Sequence, residues 1–162
     1  MKMELTTEQI KEYLEYFPET GKIIWKKTKN NRALKGTEAG CLEKSGYIRL
    51  RFNNKLFSAH RIAWFLYTGS FPTFHLDHIN GIRNDNRISN LREATTYQNS
   101  QNRRNLKGYT WMPNRKKPWH AQLKNNGKMI CLGYYETEEE AHAAYLEGKK
   151  KYHSFFVEES NG

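Results

Sequence analysis

Apolar positions in this chain recur in two rhythms, three-and-four apart and every second residue. LTTEQIKEYLEYF sets Ile10, Tyr13, Leu14 and Phe17 on one helical face, and Thr6 with Gln9 forms a capping signal ahead of them. Pro18 and Gly21 end that predicted helix, and KIIWK follows as a short strand. Residues 29–45 are polar and contain glycine, which predicts a loop. In GYIRLRF, Ile48, Leu50 and Phe52 alternate with Arg49 and Arg51, giving one apolar and one basic face. Asn53-Asn54 then leads into KLFSA, so the two runs form a β-hairpin. HRIAWFLYTG predicts a short buried helix closed by Gly69.

The second half repeats the same logic. Thr95 and Thr96 are N-cap candidates for a helix through YQNSQNRR, and NRRNLKG is a polar, basic linker. GYTWM, PWHAQLKN and KMICLGYY predict three strands, with Asn126-Gly127 as the tight turn between the last two. Thr137 and Glu140 form a second capping box ahead of a helix. Its stripe of Ala141, Ala144, Tyr145 and Gly148 suits close approach to a sheet. Lys149, Lys150 and Lys151 sit where the helix dipole favours cations.

Composition narrows the class. The 162 residues allow one ordinary domain or two or three small ones. With 37% hydrophobic and 14% aromatic residues the chain builds small cores, not one large one. Its 27 Lys+Arg against 17 Asp+Glu leave a net charge of +10, which favours a polyanionic partner. From Ala94 to Tyr135 no acidic residue occurs. The same run holds Arg103, Arg104, Lys107, Arg115, Lys116, Lys117, Lys124 and Lys128, a candidate electrostatic track. Cys41 and Cys131 make no CxxC pair, so a structural zinc site of that type is not expected, and reduced thiols fit a cytosolic setting. No signal peptide and no bilayer-length apolar run is present.

The chemistry concentrates in FHLDHINGIRNDNRISNL, residues 74–91. Phosphodiester hydrolysis needs a base, a cation and a group that aims the base. His78 is the natural base, since an imidazole titrates near working pH. Asp77 offers a hard carboxylate oxygen, and Asn90 or Asn99 offers a second hard oxygen. That donor type selects Mg2+ or Mn2+ over Zn2+. Asn80-Gly81 predicts a turn, and Asn84, Asp85 and Asn86 a loop shaped by side-chain to backbone bonds. His60 and His75 lie near this chemistry and stay outside the catalytic set. Neighbours on a regular strand face opposite ways, so Asp77 and His78 reach one phosphate only if the strand bends or ends there.

The pattern DHINGxxxDNRxSNL…QN resembles the HNH nuclease family, in its phage and intron-borne homing-endonuclease branch. The resemblance covers roughly residues 45–105, with GYIRLRF…HRIAW also typical. It implies a ββα-metal core with His78 as general base and Asn90 orienting and polarising it. Asp77 and Asn99 would bind the metal, and Asn99 in place of a histidine argues against zinc. Further on, GYTWM…PWHAQLKNNGKMICLGYYETEEEAHAAYLEGKKKYH resembles the ethylene-response-factor DNA-binding domain of plant transcription factors, also found on phage HNH nucleases. LGYYETEEEAHAAY is its most specific part. That likeness implies a three-stranded sheet in the major groove with the helix behind it.

On the middle strand Trp119, Ala121 and Leu123 would face the helix, and His120, Gln122 and Lys124 the DNA. Gln122 and Lys124 match DNA-contacting positions. Thr110, His120 and Lys124 stand where many members carry Arg, so base readout should differ. The expected DNA-contacting set is Arg103, Arg104, Lys107, Thr110, Arg115, His120, Gln122, Lys124 and Lys128.

The expectation is an α+β protein: an N-terminal helix and strand region over 1–44, an HNH core over 45–105, a DNA-binding sheet-and-helix domain over 106–156, and a tail over 157–162. It would be a monomeric, metal-dependent endonuclease acting on double-stranded DNA, with no membrane partner, in the cytoplasm of a bacterial or phage-infected cell. The rival reading is a sequence-specific DNA-binding regulator with an inactive nuclease core; RNA binding is a third.

Overall fold

A computed structural model describes residues 7–101 and 106–156. The chain divides into two compact units, Met1–Ala94 and Thr95–Gly162.

The first unit opens with helix α1, Thr7–Tyr13, which buries Ile10. The expected helix through Phe17 stops at Tyr13, because Leu14–Phe17 forms strand β1 against β2, Lys22–Trp25. The period explains the change. Leu14 is buried and Tyr16 half-buried, while Glu15 and Phe17 are exposed, so this stretch alternates in twos. Pairing Leu14 with Trp25 places both in the core. The Thr6 capping expectation lies outside the described residues.

The expected loop over 29–45 contains one short strand, β3 at Cys41–Leu42. It joins β4, Ile48–Phe52, and β5, Lys55–Ser58, in the order β3-β4-β5. Asn53 (φ 47°) and Asn54 (φ 60°) both adopt the left-handed region that a two-residue hairpin turn requires. Helix α2, Ala59–Thr68, ends at Gly69, whose N–H donates to Phe65 O. Its buried face of Ala59, Ile62, Ala63 and Phe65 closes one core with Ile10, Leu14, Ile23, Trp25, Leu50 and Phe52. Burying each such large side chain contributes roughly 1.5–3 kcal/mol. The N-terminal segment contributes Ile10, Leu14, Ile23 and Trp25 to this core. The unit finishes with a hairpin of β6, His75–His78, and β7, Leu91–Ala94. A 3-10 turn, Ile88–Asn90, precedes β7.

The second unit begins with α3, Thr96–Gln101. Thr95 caps it reciprocally: its Oγ accepts the Gln98 N–H, and its own N–H donates to Gln98 Oε1. The Tyr97 hydroxyl donates to Asn125 Oδ1 (2.8 Å) and accepts the Asn126 N–H (2.6 Å). Those bonds tie α3 to the turn between β9, Trp119–Asn125, and β10, Lys128–Tyr135. The compact units part at Ala94. With β8, Tyr109–Trp111, these strands form an antiparallel sheet in the order β10-β9-β8. Helix α4, Glu138–Tyr152, starts in the predicted Thr137–Glu140 capping box and packs on one face of the sheet. A Cβ on Gly148 would fall 2.7 Å from Leu132 Cδ1 and 2.8 Å from Leu123 Cδ2, so a side chain there would need those leucine ends to shift. The described residues thus form a mixed α/β protein with four α-helices and several small antiparallel sheets. None of the described helices is long and apolar enough to cross a membrane.

Candidate active site

Strand β6 carries Asp77 and His78 into the body of the first unit, where both are buried. Register sets their neighbours: Asp77 pairs with Arg92 and His78 with Leu91. The strand ends at His78, and the Gly81 N–H donates to His78 O (2.9 Å), so the chain turns at once. Asp77 and His78 are both paired in the ladder with β7, as consecutive residues up to that ending.

The asparagines that follow have distinct tasks. Asn90 Oδ1 accepts the Asn80 N–H (2.9 Å), and its amide donates to Asp85 O (2.8 Å). Its backbone carbonyl accepts the Ile79 N–H (2.9 Å). Asn90 therefore clamps both ends of the loop after His78, and its side-chain amide is spent on that loop. Asn80 Nδ2 donates to Asp85 Oδ2 (2.7 Å), and Arg87 grips the same carboxylate. The Arg87 guanidinium and the Asn80 amide hold the Asp85 carboxyl down at about 2.

Asn86, expected only to shape the loop, reaches the imidazole itself. Its Oδ1 lies 3.2 Å from His78 Nε2, and the residue is 2% exposed. Tyr16 from β1 donates its hydroxyl to Asn86 O (2.7 Å), and burial pushes that phenol up to about 12, so it stays a donor. Around the ring stand Tyr47, with centroids 5.9 Å apart, and His60, edge-on at 5.2 Å. Burial pushes the His78 imidazole below its ordinary value, against the opposing pull of the Asn86 hydrogen bond and the Asp77 carboxylate. His60 is pushed down to about 4, first by burial and then by His78, Arg61 and Arg49. Both rings are therefore neutral near neutral pH. Tyr47 and His60 meet His78 only after the chain closes on itself, and Asn86 is marked by the sequence as a loop residue alone.

Asp77 Oδ2 accepts two bonds from Arg92, from Nε (3.1 Å) and Nη2 (2.9 Å). The Asp77 side chain is 10% exposed and that of Arg92 21%, so the pair is partly shielded from water. Replacing Arg92 by Ala is expected to lower stability by about 1–3 kcal/mol, the cost of removing charged donors from a shielded carboxylate. Urea unfolding measures it, and an unmoved midpoint would show that the pair contributes nothing. Among the described residues no group of three or more His, Cys, Asp or Glu could hold a metal. A Mg2+ ion commonly takes one or two protein carboxylates and completes its octahedron with water and phosphate. Asn99 is exposed on α3, in the second unit.

The sheet of the second unit has one face against α4 and one open. Ala121 and Leu123 are buried on the helix side, as the alternation requires. Across the ladder, His120 pairs with Thr110 and Tyr134, Gln122 with Cys131, and Lys124 with Met129. Thr110, Lys124 and Lys128 are exposed, and Gln122 is half-buried. His120 is different: it is 9% exposed, stacked on Tyr134 with centroids 4.6 Å apart. The exposed Arg115 guanidinium lies over the same Tyr134 ring (4.6 Å). Lys107 is exposed beside Tyr109. Arg103 and Arg104 lie outside the described residues.

Residues 57–101, from β5 through α3, match a family model described as HNH endonuclease. This stretch contains the Asp77-His78 strand, the asparagine loop and α3, and its match supports an HNH nuclease domain here and, with it, nuclease activity. No curated protein and no solved structure matches the chain.

Proposed function

We propose that the chain is a metal-dependent DNA endonuclease of the HNH homing type, with His78 as the general base. The observation that carries this reading is a buried, neutral imidazole at the end of β6, next to a carboxylate and inside the HNH-matching segment. A neutral ring takes a proton from water, and the chain turns immediately after His78. Asp77 would hold Mg2+ or Mn2+. Such a cation would offset charge on the phosphate and the leaving 3′ oxygen. Asn90 acts by holding the loop, and through it the position of the base.

Double-stranded DNA would lie along the open face of the second unit's sheet, with Thr110, Gln122, Lys124 and Lys128 toward it and Arg115 and Lys107 on the phosphates. His120 would act through the Tyr134 stack more than by direct contact. Support comes from the acid-free run from Ala94 to Tyr135 and from the likeness to the ethylene-response-factor domain. Lys124→Ala is expected to weaken binding a few-fold and to reduce the slope of affinity against salt by about one counterion. An unchanged slope removes Lys124 from the interface.

Supercoiled plasmid incubated with the protein and Mg2+, with and without EDTA, tests the whole reading. Nicked or linear product only in the metal-supplied reaction is expected. One observation favours the rival regulator: Arg92 already occupies Asp77 Oδ2. Intact plasmid under every metal, with tight duplex binding, would establish that rival.

A further inference from the structure

We propose that Asn86 is the positioning residue of His78: its side-chain oxygen takes the Nε2 proton and so makes Nδ1 the nitrogen that activates water. The inference rests on the reading of His78 as the base. An amide oxygen only accepts hydrogen bonds, so an Oδ1 at 3.2 Å selects the tautomer with the proton on Nε2. The lone pair then lies on Nδ1.

Asn86 is held firmly enough for the task. Tyr16 fixes its carbonyl, and the Gly21 backbone lies against the peptide joining it to Arg87. Asp85, next in the chain, is bound by Asn80, Arg87 and Asn90. Asn90 is the sequence-based choice for this role, yet both ends of its amide are engaged with Asn80 and Asp85. Tyr47 and His60 stand as flanking walls of the ring. In the reaction, water gives a proton to Nδ1 as its oxygen bonds to phosphorus. The bond from phosphorus to the 3′ oxygen breaks, and that oxygen takes a proton from solvent.

Nitrogen-15 NMR of histidine-labelled full-length protein, at alkaline pH where the ring is neutral, reads the tautomer directly and needs no activity. Wild type is expected to carry the proton on Nε2. In Asn86→Ala the ring should become a mixture of tautomers. Its kcat should fall about tenfold to a hundredfold, as when other partners that orient a histidine are removed, with KM for DNA unchanged. Asn86→Asp keeps an acceptor and should restore the single tautomer and most of the rate. A wild-type ring protonated on Nδ1 overturns the proposal, even if no variant folds. So does an Asn86→Ala protein with wild-type kcat while His78→Ala is dead. If His78→Ala cleaves normally while the NMR shows the Nε2 proton, the base assignment itself is what has failed, and the positioning role falls with it.

Discussion

His78→Ala is expected to abolish detectable cleavage of supercoiled plasmid while leaving duplex affinity within a factor of a few of wild type. General-base removal alone costs ~10²–10⁴-fold, and among the described residues no second imidazole is placed to substitute. His60 is the nearest imidazole, edge-on at 5.2 Å, but its Nδ1 is buried with no hydrogen-bond partner among the described residues, turned into protein. Gel shift and nicking on the same preparation separate the two effects. Wild-type turnover in the variant would end the assignment; equal loss of binding and cleavage would mean a folding defect, which circular dichroism would reveal. The pH profile adds a signature with a definite sign. Burial lowers the His78 value, so the ring remains deprotonated to lower pH than a free imidazole, and the acid limb of kcat/KM should lie below about 6.5. An acid limb above the ordinary imidazole range would contradict the burial seen here.

How far this site could be read from the chain depends on whether partners are near in sequence. The turn at Asn53-Asn54, the Thr137–Glu140 box and the alternation on β9 are local, and each forms as its spacing dictates. LEYF was misleading for the opposite reason. Leu14 and Phe17 continue the helical face of Ile10 and Tyr13, yet pairing with Lys22–Trp25 outweighs that weak local preference. The asparagine loop shows the same division. Turn chemistry at Asn80-Gly81 follows from the dipeptide, and the Gly81 N–H does close onto His78 O. Which of Asn86 and Asn90 meets the imidazole is decided by how the loop folds over, which residue type cannot tell. Alternation assigned His120 to the open face of the sheet but could not foresee that Tyr134 would cover it. Tyr16, far upstream, entered no sequence pattern for the site, yet its hydroxyl holds the Asn86 backbone.

That upstream dependence makes Gly21→Ala a damaging change away from the imidazole. Gly21 follows the end of β1 with φ +74°, a region that costs a residue with a side chain about 1–3 kcal/mol. An added Cβ would also stand 2.6 Å from Arg87 N and 2.7 Å from Asn86 C. Those are backbone atoms, so no rotamer change relieves the clash. Either the turn or the loop must move, and moving the loop strains both the Tyr16 bond to Asn86 O and the Asn86 contact with His78. The expected loss is about 2–4 kcal/mol by urea unfolding, with kcat at least tenfold lower in the protein that remains folded. Gly36→Ala is the matched control. Gly36 has φ +84° but nothing within 4 Å of an added Cβ, so it carries the conformational strain without the collision. A larger stability loss in Gly21→Ala than in Gly36→Ala, with activity lost only in the former, assigns the difference to pressure on the Asn86 loop. Equal losses and equal activities in the two variants would mean that the N-terminal turn does not support the active site at all.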